Sequence, residues 1–193
     1  MGLRKTYVQQ LHFDGESYTK SEVVDLTEKW GIYCDVPFKL FPEAKELPYR
    51  DWAGEDGRDV YVPKKIPLAA YELEVEVTYK GEDGKMRENI EAFIKFIYGR
   101  NLNAVGGSLA IYDDYTGIGR KDIHVLSIDN DFYYDVDYDD EQCAKFKVKF
   151  QVEDPSTDVE PSISENKVSD LKFSQLWLEK YYISNTMKSL TVR

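Results

Sequence analysis

From Tyr71 to Tyr79 apolar and polar residues alternate without a break. Tyr71, Leu73, Val75, Val77 and Tyr79 take one parity, and Glu72, Glu74, Glu76 and Thr78 take the other. Successive side chains of a strand point to opposite faces, so this pattern predicts a strand with one face in a core and one in water. Ala144 to Val152 repeats it, with Ala144, Phe146, Val148, Phe150 and Val152 set against Lys145, Lys147, Lys149 and Gln151. One strand shows water a row of Glu and the other a row of Lys. Opposite charges facing each other stabilise a strand pair, which predicts that these two strands are neighbours in one sheet.

Between them Ile90, Phe93, Ile94 and Ile97 recur at the spacing of one helical face. They predict a helix over 86–98, entered through the Asp83-Gly84 turn and stopped at Gly99. Gly106-Gly107 leads into short strands at Leu109 to Tyr112 and Ile123 to Ile128, and Phe132 to Tyr138 predicts another with an acidic outer face. Upstream, Thr6 to Phe13 turns at Asp14-Gly15 as an N-terminal arm or hairpin, while Glu22 to Trp30 shows no decisive period. Tyr33 to Tyr49 carries Pro37, Pro42 and Pro48, so it reads as extended, poor at ladder pairing and crossing a sheet edge. After Asp154-Pro155 the chain turns to Ser, Thr, Pro and acids until Lys167, the composition of a linker. Beyond it Phe173, Trp177 and Tyr181 fall on one helical face, with Ser169 or Asp170 as its cap. A segment that short does not fold alone, so it is expected to pack on its own domain or on a neighbouring subunit. The order of elements is mainly β (α+β): one domain over 1–154, then a linker and C-terminal extension over 155–193.

Composition adds constraints. With 42% hydrophobic residues, 15 Tyr, 9 Phe and 3 Trp among 193, the chain is too apolar to stay disordered. Its formal charge of −11 repels phosphate, so no specific nucleic-acid binding and no affinity for an anionic membrane are expected, and no basic patch offsets this. Cys34 and Cys143 form no C-x-x-C unit and are expected to be two buried thiols. No apolar run is long enough for a bilayer, and no signal-peptide stretch opens the chain, which predicts a protein made in a cytosol. Met1 to Thr6 fits the short N-myristoylation pattern, which has meaning only in a eukaryotic host.

Candidate chemistry is sparse. The two histidines, His12 and His124, lie within strand-like segments and read as structural. No H-E-x-x-H, G-x-S-x-G or G-x-x-x-x-G-K motif occurs. Gly117-Ile118-Gly119 lacks the third glycine and the helix of a dinucleotide site and reads as a turn. Seven of the thirteen residues from Asp129 to Glu141 are acidic, but a calcium loop counted from Asp129 needs Gly and Glu where Tyr134 and Asp140 stand. A solvated acidic strand and turn is the expectation. Paired carboxylates for glycoside hydrolysis depend on a separation that only three dimensions reveal, and an acid-dependent hydrolase is the lesser rival. No enzyme activity, cofactor or metal is therefore expected. Two loop clusters stand out: Arg50 to Gly57 with Trp52, Glu55 and Asp56, followed by Tyr61, and Ile111 to Arg120 with Tyr115. With Phe173, Trp177 and Tyr181, the residues Trp52, Glu55, Asp56, Tyr61, Tyr115 and Arg120 are the candidates for assembly or loop contacts.

The run Arg50 to Pro63, the strand Ala70 to Tyr79, the helix, the Gly106-Gly107 turn, Tyr112 to Arg120 and the closing Phe146 to Pro155 resemble a family of small tail proteins in phages and prophages of Bacteroides-like bacteria. That family is similar to the N-terminal domain of siphophage distal tail proteins and their tail-tube relatives. The resemblance covers roughly residues 20–158. It implies an antiparallel β-sandwich with one flanking helix and a structural role in the virion. The same resemblance implies a homo-oligomeric ring, a hexamer, around the tail channel, in contact with other tail proteins and assembled in the bacterial host cytoplasm. An acidic lumen would let DNA pass without sticking. The rival from another class is a carbohydrate-binding β-sandwich module, for which Trp52, Tyr112 and Tyr115 would form a row of exposed rings.

Overall fold

The computed structural model describes residues 4–82, 84–129, 133–136, 141–164 and 167–175. In chain order they form β1 (Thr6–Phe13), β2 (Tyr18–Lys20), β3 (Val24–Asp25), α1 (Leu26–Trp30), β4 (Ile32–Asp35), β5 (Tyr49–Arg50) and β6 (Asp59–Val60). There follow β7 (Tyr71–Glu82), α2 (Met86–Ile97), β8 (Ser108–Asp113), β9 (Ile118–Ile128), β10 (Tyr133–Val136), β11 (Glu141–Asp154), β12 (Thr157–Ser164) and β13 (Lys167–Gln175). The main antiparallel sheet runs β2-β1-β8-β9-β11-β7-β4, with β3 added to β1 and β10 to β11. The two alternating segments lie side by side at its centre: Lys147 faces Glu76 and Lys149 faces Glu74 across β11 and β7. Ion pairs join the rows, Lys147 to Glu74 at 2.6 Å and Lys145 to Glu76 at 3.5 Å. On the other face Leu73, Val75, Val77, Phe146, Val148 and Phe150 are buried. Burying each such side chain contributes about 1.5–3 kcal/mol before entropy is counted.

The sheet folds over like a sandwich, and α1 carries the chain from β3, beside β1, to β4 at the other end of the strand order. Asp25 caps this short helix by accepting from the Thr27 and Glu28 amides. Gly31 ends it at φ 66°, where a Cβ would stand 2.4 Å from the Lys80 carbonyl; only glycine lets the turn lie this close to β7. Arg4 then ties the two halves together, with Nη1 2.9 Å from Asp35 at the end of β4 and Nη2 3.2 Å from Asp113 at the end of β8. Val8, Leu109, Ile111 and Ile123 from one half share a core with Cys34, Val75, Val77 and Val148 from the other. Burial pushes the Cys34 thiol up to about 12, and both cysteines are free, Cys143 half-buried.

Helix α2 covers the core through Ile90, Phe93, Phe96 and Ile97. The expected face included Ile94, which is half-buried; Phe96 takes the deeper place because Trp30 meets it at 5.4 Å. Gln10, fully buried, fixes the far end of the helix by donating to the Phe96 carbonyl and accepting from the Val105 amide.

The segment after Asp154 corrects the expected linker and helix. β12 and β13 pair as a hairpin, Val159 against Phe173 and Pro161 against Leu171. It lies on the outer face of β1 and β8, where Val159 and Leu171 bury Leu11 and Ala110. The period that wins is two, with Val159, Pro161 and Ile163 on one strand and Leu171 and Phe173 on the other. The approach is close: a Cβ on Gly119 would stand 2.6 Å from the Val159 carbonyl. Phe173 is therefore a strand residue, while Trp177 and Tyr181 lie outside the described residues.

Candidate assembly interface

Past β4 the chain leaves the body at Val36 and Phe38, both buried, and does not rejoin it until Tyr71. Pro37, Pro42, Pro48, Pro63 and Pro67 punctuate this stretch, which removes ladder donors and keeps it from becoming a sheet strand. Its root is closed by the Lys45 amide on the Pro67 carbonyl at 2.7 Å, the Ala69 amide on the Glu43 carbonyl at 2.8 Å and the bridge between Ala44 and Leu68. Beyond the root β5 and β6 pair, Tyr49 against Val60 and Arg50 against Asp59, and the Tyr61 amide reaches the Pro48 carbonyl at 3.1 Å.

This arm carries large apolar side chains in the open. Phe41 is 69% exposed, Tyr61 71%, Val62 62% and Trp52 50%. Side chains of a strand alternate faces, so the register puts Tyr49 and Val60 on one face of the ribbon and Arg50 and Asp59 on the other. Cations shield the rings only locally, Arg58 over Tyr49 at 4.5 Å and Arg50 over Trp52 at 5.9 Å. The Trp52 indole N–H donates to Asp59 at 3.2 Å. Glu55 and Asp56 lie exposed at the tip.

The other candidate residues separate. Tyr115 is 77% exposed on the turn between β8 and β9, with the Arg4 guanidinium 5.0 Å from its ring centre. Tyr112 is half-buried, its ring 6.4 Å from Tyr7. Arg120, expected on a loop, is fully buried. It donates through Nη1 to Asp158 at 2.5 Å and to the Gly119 carbonyl at 2.8 Å, and through Nη2 to the Lys39 carbonyl at 3.2 Å. The reason is the β12–β13 hairpin, which closes over β9 and supplies the carboxylate. Arg120 is a clamp that holds β9, β12 and the root of the arm together. Phe173 packs within its own chain, edge-on to Tyr18 at 5.4 Å and under the Lys20 ammonium at 4.2 Å.

Two polar sites support this hairpin. Burial disfavours the Lys121 ammonium, but Asp122, the Tyr18 hydroxyl and Asp154 hold its pKa above the ordinary range. Burial likewise disfavours the Asp154 carboxylate, yet the Ser156 and Thr157 hydroxyls and Lys121 bring its pKa down from 3.8 to about 2. These are turn-forming contacts rather than a reactive constellation. His12 is exposed, and His124 Nδ1 stands 3.9 Å from Glu153. Among the described residues no group of three His, Cys, Asp or Glu could hold a metal ion, and no helix is long and apolar enough to cross a membrane. Most of the acidic run from Asp129 to Glu141 lies outside the described side chains.

Fold and surface together define a mainly β protein with a sandwich-like sheet, a helix against its core and a projecting apolar arm. No protein-family model matches the chain, and no curated protein matches it.

Proposed function

We propose that the protein is a structural subunit of a bacteriophage tail that assembles into a homo-oligomeric ring. The arm carries the assembly part of this reading. Phe41, Trp52, Tyr61, Val62 and Ile66 are each half or more exposed along it, and exposed apolar side chains gathered in one region mark a protein-contact surface. The tail assignment rests on the resemblance of residues 20–158 described above, and the net charge of −11 suits a ring that DNA must traverse freely. Native mass spectrometry of the purified chain across a concentration series tests the assembly. A single closed multiple, the hexamer, is expected. A monomer at every concentration would overturn the proposal.

A further inference from the structure

We propose that the segment continuing β13, residues 176–193, covers the root of the arm on its own chain, at Leu40 and Phe41. This contact is independent of the ring and leaves the tip of the arm, with Trp52, Tyr61 and Val62, to the assembly. At the end of β13 Gln175 faces Thr157 and Ser174 faces Asp158. Asp158 accepts from Arg120, and Arg120 donates to the Lys39 carbonyl. One carboxylate and one guanidinium therefore separate the end of β13 from the root of the arm. Four extended residues span about 13 Å, enough to bridge that gap.

The root presents an apolar surface that is held in place. Leu40 is 46% exposed and Phe41 69%. Both follow Lys39, which Arg120 fixes by its carbonyl, which pairs with Glu43 at 2.7 Å, and whose ammonium lies 5.3 Å from the centre of the Tyr71 ring. A fixed surface costs a docking segment less ordering than a loose one. The segment supplies the apolar partner. Six of its first eight residues, Leu176, Trp177, Leu178, Tyr181, Tyr182 and Ile183, are large and apolar or aromatic, and side chains of that kind leave water for apolar surface within reach. Exposed Ile163 is no rival, because it sits near the far end of β12, about 20 Å from Thr157. A short tether also favours the segment's own root over another copy's, holding it there at an effective concentration on the order of millimolar. Charge acts in the same direction. Residues 176–193 hold three basic side chains and one acidic, in a chain of net charge −11, so the body attracts the segment rather than repelling it.

The test is a photo-cross-link in the full chain carrying Phe41→p-benzoylphenylalanine, an exposed position that tolerates the added group. Irradiation is expected to join position 41 to residues 176–183 within one chain, seen as a cross-linked tryptic peptide from a band of monomer mass. The same peptide from a covalent dimer would put the segment on another copy and overturn the in-chain contact. Cross-links to other residues only, or none, would overturn it as well. Leu40→Ser gives a second reading: tryptic cleavage after Lys180 should become several-fold faster while the melting temperature stays with the parent's. An unchanged cleavage rate would overturn the contact at Leu40. None of these outcomes decides the ring, which stands or falls on the native mass spectrum.

Discussion

Asp154 stands at the corner where β11 turns into β12, accepting from the Ser156 amide at 2.9 Å and its hydroxyl at 2.6 Å, and from the Thr157 hydroxyl at 2.7 Å. Its side chain is 22% exposed, so solvent screens these contacts little. Because the folded carboxyl titrates near 2 rather than 3.8, it contributes stability above about pH 4 that is lost as pH falls through about 2. Asp154→Ala should therefore lower unfolding stability by about 2 kcal/mol at neutral pH. Urea unfolding at a series of pH values should show parent and variant converging at the acid end. A constant gap across the series would mean that ionisation plays no part. Arg120 teaches a complementary point at the same scale. In sequence it follows a Gly-rich turn and looks like a loop residue, but its burial depends on Asp158, 38 residues away.

The hairpin of β12 and β13 shows how one element changes the account of its neighbours. β1 is buried on both faces: Val8 and Gln10 point to the core and helix, while Gln9 and Leu11 lie under the hairpin. Gln9 donates to Asp170, and Lys20 pairs with the same carboxylate at 3.1 Å. Leu171 is fully buried. Leu171→Ala should cost about 3 kcal/mol, read as a lower urea midpoint with an unchanged slope. A segment that merely linked two parts would tolerate the change, so an unaltered midpoint would return it to that role. This hairpin also reassigns Phe173, whose ring is held by Tyr18, Lys20 and Lys121 of its own chain.

At the scale of the whole molecule the body carries the stability, and the proposed ring assigns assembly to the arm. The core gathers strands from both halves of the folded-over sheet with α1 and α2, and the exposed ribbon from Tyr49 to Val60 adds little to it. Replacing residues 50–59 with two glycines should therefore leave the melting temperature close to the parent's. It should break the assembly into smaller species, measured by sedimentation velocity. An early-melting variant would show instead that the arm belongs to the fold. Alternation by itself determined the central pair of strands and their neighbourhood, because period two and opposite charge rows are written in consecutive residues from Tyr71 and from Ala144. The 3.6 period likewise determined α2, and Asp14-Gly15 the first turn. Only the tertiary structure decided that the sheet folds over so that Arg4 bridges Asp35 and Asp113. It alone decided that Arg120 is a buried clamp, that the segment after Asp154 is a hairpin, and that the arm stands clear of the body. Those outcomes rest on contacts between residues far apart in the chain, and local periodicity carries no record of such contacts.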